Sequence, residues 1–205
     1  MGGTLVVLPA NAERDGLSNR RRADYAGGMT ANHARLAAIL TAILVAAALR
    51  LLPHPPNFTP IAAMALFGGA YLGRRWLAFA APLGALLLSD LVLGFYAELV
   101  FVYLSTAAIV AIGWALAKRR TVLAVGLAAL AGSVLFFAVT NFGVWLVMDY
   151  YPKTLAGLAS CYVAAIPFFQ NTLAGDLVFS ALLFGGFALA ERRVAFLRAP
   201  ELRPA

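Results

Sequence analysis

Apolar positions along this chain come in long, nearly uninterrupted runs, and polar residues are confined to the breaks between them. The runs cover about Leu36–Leu52, Phe58–Gly73, Trp76–Gly94, Leu99–Ala117, Thr121–Met148 and Thr172–Ala190. Three of them are closed by basic clusters: Arg74 and Arg75, then Lys118 to Arg120, then Glu191 with Arg192 and Arg193. A helix needs roughly 20 apolar residues to cross a bilayer, with about 17–25 common. None of the runs shows the period-2 alternation of an outer-membrane barrel. The pattern therefore predicts an all-α polytopic membrane bundle of six transmembrane helices. The second run lies near the lower length limit, so local thinning or a tilted neighbour is expected there. A further stretch, Thr154–Phe169, is apolar but short, and it contains Gly157, Ser160, Cys161 and Pro167. It reads as a helix lying on, or dipping into, the outer surface.

Composition agrees with a membrane protein. Of 205 residues, 62% are hydrophobic and only 12% charged. A soluble domain has about 45–50% apolar and about 25% charged residues. The formal net charge of +7 would point to nucleic acid in a soluble protein. Here the positive residues sit at helix ends and report orientation. With six spans and both termini in the cytoplasm, all of the 16 Lys and Arg except Arg50 and Lys153 fall on the inner side. That places the chain in a bacterial inner membrane, with no nucleic-acid partner. Residues 1–30 are polar and basic, with Arg20, Arg21 and Arg22 in a row, and are expected to be a disordered tail. Met29 is an alternative start. The transmembrane domain is expected to span 31–193, and 194–205 to form a cytoplasmic tail.

Orientation supplies a depth scale at about 1.5 Å per helical residue. On it Asp90 and Asp176 both lie about 22–24 Å above the inner edge, with Asn141 near the outer boundary. Asn57 opens the second run at its outer end, within Asn57–Phe58–Thr59–Pro60. An aspartate at the centre of a membrane helix costs about 2.5–3.5 kcal/mol. Two at one depth, beside several amides, predict a shared polar cavity open to the outside. Its expected lining is Asn57, Asp90, Asn141, Trp145, Asn171 and Asp176, covered by Asp149–Gln170. Plainer readings exist for single members. Asp176 suits the first turns of the sixth run through the helix dipole, and Asn171 suits a cap there. Tyr96, Trp145, Tyr150 and Tyr151 suit an interfacial aromatic belt. Asp90 lies in the C-terminal half of its helix, where the dipole disfavours it, so it needs a partner.

Other chemistry is sparse. No GxxxxGK[ST] loop and no GxGxxG is present, so no nucleotide site is legible. No nucleophile–base pair stands out, and the chain is not expected to be an enzyme or to hold a cofactor. Cys161 reads as a small buried residue, with a soft-metal ligand as the alternative. His33 and His54 lie too far apart to form a metal site. On the first run Ala38, Ala42 and Ala46 recur every four residues, which lets a second helix approach closely, either within this chain or from a separate membrane subunit.

Four stretches carry a resemblance: NFTPIAAMALFGGAYLG (57–73), PLGALLLSDLVLG (82–94), TNFGVW (140–145) and YPKTLAGLASCYVAAIPFFQNTLAGDLVF (151–179). They resemble an uncharacterised bacterial family of transport membrane proteins. By topology and general pattern the chain also resembles the S-components of energy-coupling factor (ECF) vitamin transporters. The resemblance implies capture of a small nutrient such as a vitamin at the outer face. It further implies that the alanine face meets a transmembrane coupling subunit with its ATPases, although a solitary carrier is equally compatible. The competing expectation is a non-catalytic scaffold of a membrane or cell-envelope assembly, without a ligand.

Overall fold

The computed structural model describes residues 32–198. The expected tail over residues 1–30 and the last residues of the expected C-terminal tail lie outside that range. The runs fold as α1 (Asn32–Leu49), α2 (Ile61–Tyr71), α3 (Arg75–Leu93), α4 (Leu99–Ala115), α5 (Val122–Val147) and α6 (Leu155–Arg193). A single 3₁₀ turn, Leu116–Lys118, extends α4, and α6 carries one π-helical stretch, Ala181–Gly185. No strand occurs among the described residues. Local chemistry marks the helix ends. The side chains of Thr121 and Thr154 accept hydrogen bonds from the backbone N–H of Ala124 (3.2 Å) and Gly157 (3.1 Å), capping α5 and α6. Gly94, at φ 94°, stops α3 in a conformation that costs glycine little.

Five of the six helices are long and apolar enough to cross a membrane. The exception is the second expected span, which is too short to meet that test although it leads from Thr59 at one end of the bundle to Tyr71 at the other. α2 has 11 residues, about 16 Å of helix against a hydrocarbon core of about 30 Å. Each residue from Ile61 to Ala70 is buried. α2 is apolar on every side, and it is protein that encloses it, since it touches α3, α4, α5 and α6. It meets α4 backbone to backbone. A Cβ on Gly69 would run into the Val110 carbonyl, and one on Gly113 into the Leu66 carbonyl. Phe67, Leu66 and Met64 are fully buried and anchor the core around it.

One correction concerns Thr154–Phe169. It does not form a separate surface helix but is the first part of α6, which runs 39 residues without a break. At about 1.5 Å per residue that is about 58 Å, well beyond one bilayer core. Pro167 lies inside and costs one backbone hydrogen bond. Contacts with α5, which runs antiparallel to it, hold the helix through that point. The Cys161 thiol donates to the Asn141 carbonyl (3.5 Å), Tyr162 OH donates to the Ala138 carbonyl (2.6 Å), and the Phe137 and Phe169 rings lie 5.1 Å apart.

α1 lies beside α6. Near its start Arg35 pairs with Glu191 (2.9 Å) and donates to the Leu197 carbonyl (3.1 Å). Arg35 and Arg120 both lie over the Tyr71 ring, and Arg75 lies over Trp114. These residues gather one basic end of the molecule. Outward-facing apolar side chains such as Val92, Val122, Leu123 and Leu155 are largely exposed, as lipid-facing residues are.

Candidate functional site

At the end opposite the basic one, the sequence places one arginine among apolar residues, just after α1. Arg50 is 7% exposed, and Asp90, in the last turn of α3, is fully buried. Arg50 Nη1 donates to Asp90 Oδ1 (2.9 Å) and also to Ser89 Oγ. Tyr103 OH, from α4, donates to Asp90 Oδ2 (3.0 Å). A buried ion pair is tolerable only when its remaining lone pairs and protons find partners. Ser89 and Tyr103 supply most of these, so the cluster ties α1, α3 and α4 together at this end.

The Arg50 side chain is also one wall of a cavity of about 290 Å³. Asn57 and Thr59 approach from the turn before α2, Tyr96 and Glu98 from the start of α4, Thr140 and Asn141 from α5, and Thr172 and Asp176 from α6. Phe136, Phe137 and Phe168 add apolar surface. Asn57 sits at φ 63°, a left-handed conformation that asparagine accepts more readily than most residues. Asp176, 3% exposed, accepts from Ser133 Oγ at 2.6 Å. Asn141 turns its amide N–H back to the Phe137 carbonyl (2.8 Å). Burial pushes the Tyr96 phenol above its usual pKa, and the nearby Asp90 carboxylate adds to the rise, so at neutral pH Tyr96 presents an uncharged hydroxyl. Two charged side chains on the cavity wall are left incomplete. Arg50 Nε and Glu98 Oε2 are buried with no hydrogen-bond partner. Glu98 stands at the N-cap position of α4, yet its carboxylate makes no capping bond.

The structure brings together three of the six expected cavity residues, Asn57, Asn141 and Asp176. Asp90 lies behind the cavity and reaches it only through Arg50. Trp145 and Asn171 do not line it. Trp145 Nε1 donates to the Pro152 carbonyl (2.9 Å), and Lys153 donates to the carbonyls of Trp145 and Met148, so this trio shapes the turn between α5 and α6. Asn171 donates to the Pro56 carbonyl (3.0 Å) and pins the loop after α1 to α6. From the expected cover, Asp149–Gln170, only Ala165 and Phe168 reach the cavity wall.

Sequence reasoning passed over Arg50, Glu98, Thr140 and Thr172. Arg50 had a legible signal, as one of two basic residues on the far side and at the same end as an aspartate that needs a cation. Ala38, Ala42 and Ala46 border an open, mostly apolar groove of about 470 Å³, whose other wall is Phe179, Leu182 and Leu183 of α6. Ala46 is buried, while Ala38 and Ala42 are partly covered by the core. Among the described residues no three His, Cys, Asp or Glu side chains are grouped to hold a metal.

Neither a curated protein nor a solved structure matches the chain. A family model matches residues 30–201, most of its length, and the chain belongs to that family, described as a family of unknown function (DUF6580).

Proposed function

We propose that this chain is a membrane transport protein, the substrate-binding component of an uptake system for a small polar nutrient. The observation that carries the reading is the cavity wall, where Arg50 Nε and Glu98 Oε2 are buried without partners. Leaving a buried charged group short of a hydrogen bond costs about 1–3 kcal/mol or more, and a ligand that completes both recovers it. The positive-inside distribution puts the basic end in the cytoplasm and the cavity at the outer face. On this reading both termini are cytoplasmic and the protein sits in the bacterial inner membrane. The groove beside Ala38, Ala42 and Ala46 is where a transmembrane coupling subunit with its ATPases would dock, as in the S-components that the chain resembles. No catalytic role and no cofactor are proposed.

The test is native mass spectrometry of the full chain purified in nanodiscs. A retained small molecule is expected in the wild type, and it should vanish in Thr140→Trp, which fills the cavity, with the elution volume unchanged. Reporter fusions at Arg119 and at the C-terminus should both report the cytoplasm. The apolar groove supports a second reading, a ligand-free scaffold of an envelope assembly. A chain that retains no small molecule but elutes with a stoichiometric membrane partner would favour it.

A further inference from the structure

The charges around the cavity do not balance. Arg50 is the one basic residue on its wall, and its Nη1 is already committed to Asp90 and Ser89. Glu98 and Asp176 share that wall, and among the described residues neither has a cation within ion-pairing distance. Lys153, the other cation at this end, is committed to the carbonyls of Trp145 and Met148. An anionic ligand would meet one guanidinium, already paired with Asp90, and two carboxylates, those of Glu98 and Asp176. A neutral ligand would leave the buried Asp176 and the half-buried Glu98 without a counter-charge, which is costly in a low dielectric. A bare metal ion would leave most of about 290 Å³ unfilled and would face three phenylalanines. An organic cation suits those aromatic walls, because a ring face attracts positive charge.

We infer that the cavity takes a small organic cation that also carries a hydrogen-bond acceptor. The positive group lies against Glu98 and Asp176, and the acceptor receives Arg50 Nε. The inference rests on the binding role proposed above and adds the charge and polarity of the ligand. The volume limits the ligand to the small end of the range for such pockets, about 300–1,000 Å³.

Three probes of one shape separate the possibilities: p-aminobenzamidine (cationic), p-aminobenzamide (neutral) and p-aminobenzoate (anionic). Each is titrated against the full chain in nanodiscs and read by thermal shift, with sodium chloride alone as a further arm. The amidine is expected to bind at least about tenfold more tightly than the other two, as one charge-assisted contact allows. Glu98→Gln and Asp176→Asn should each remove most of that selectivity; Glu98, partly exposed at a helix start, serves if the buried Asp176 variant fails to fold. Preference for the amide or the benzoate would overturn the inference and leave the binding role standing. So would selectivity unchanged in both variants, or stabilisation by sodium chloride without any by the amidine. If no probe acts, the molecule retained in native mass spectrometry decides, a cation upholding the inference and an anion or neutral molecule overturning it. No response and no retained molecule would remove the binding role itself.

Discussion

At the basic end of the bundle, Arg35 and Arg120 lie over the Tyr71 ring, 5.8 and 4.2 Å from its centre, and Arg35 also faces Phe187 at 5.6 Å. At the other end, Arg50 is surrounded by oxygen, with Asp90, Ser89 and, one bond further out, Tyr103. The first arrangement uses arginine as a flat, weakly hydrated cap on aromatic rings and keeps part of it in contact with solvent. The second isolates a guanidinium in a place where it must be neutralised by a carboxylate. A partly exposed arginine at a helix end is explained by orientation and packing alone. A buried one opposite an aspartate, with a donor left over at a cavity, asks for a further partner. The difference between the ends lies in what each guanidinium faces, aromatic rings at one and buried oxygen at the other.

The largest effect that tests this contrast is expected from Arg50→Met. It leaves Asp90 buried without its cation and should cost about 3–5 kcal/mol, while the double variant Arg50→Met with Asp90→Asn should recover much of the loss. Denaturant unfolding of the purified protein in detergent checks both. If Arg50→Met costs no more than a substitution at the basic end, the contrast is void. Arg35→Met comes next, with an expected loss of about 1–2 kcal/mol, because it removes a partly exposed ion pair and a cation–π contact. The same unfolding assay should show that raising the salt concentration shrinks the Arg35 effect and leaves the Arg50 effect nearly intact, since buried pairs are little screened. The smallest change is expected from Trp145→Phe. It deletes one hydrogen bond to Pro152, for about 0.5–1.5 kcal/mol, and should leave the retained molecule in place. Loss of that molecule would return Trp145 to the cavity.

Much of the architecture was legible from hydropathy. The ends of α3, α4 and α5 fall within a few residues of where the apolar runs stop. Two elements departed from expectation, since hydropathy records an apolar side chain but neither what covers it nor which tertiary contacts hold it. The run Phe58–Gly73 looked like a span because α2 is as apolar as one, although its surroundings are other helices. Thr154–Phe169 looked separate because Pro167 and Gly157 weaken an isolated helix. Tertiary contacts such as Tyr162 to Ala138 hold it, and they leave no mark on local sequence. At the candidate site, depth counting brought Asn57, Asn141 and Asp176 together. It could not tell a residue that faces the cavity from one turned to a loop carbonyl, so Trp145 and Asn171 were grouped with them. Depth carries no azimuth, and a helix of 3.6 residues per turn turns each successive side chain by about 100°.

The short central helix bears on how the protein is made. An 11-residue helix cannot hold itself across a bilayer, and α3, α4, α5 and α6, which it touches, all follow it in the chain. While the chain emerges, α2 has α1 and α3 beside it but not the partner it meets most closely, the backbone of α4 around Gly113. It must therefore enter the bundle after the later helices have inserted, in a second step of assembly within the membrane. A chain stopped after α3 would leave α2 without its pocket. The packing of α2 is complete only once α4 has arrived.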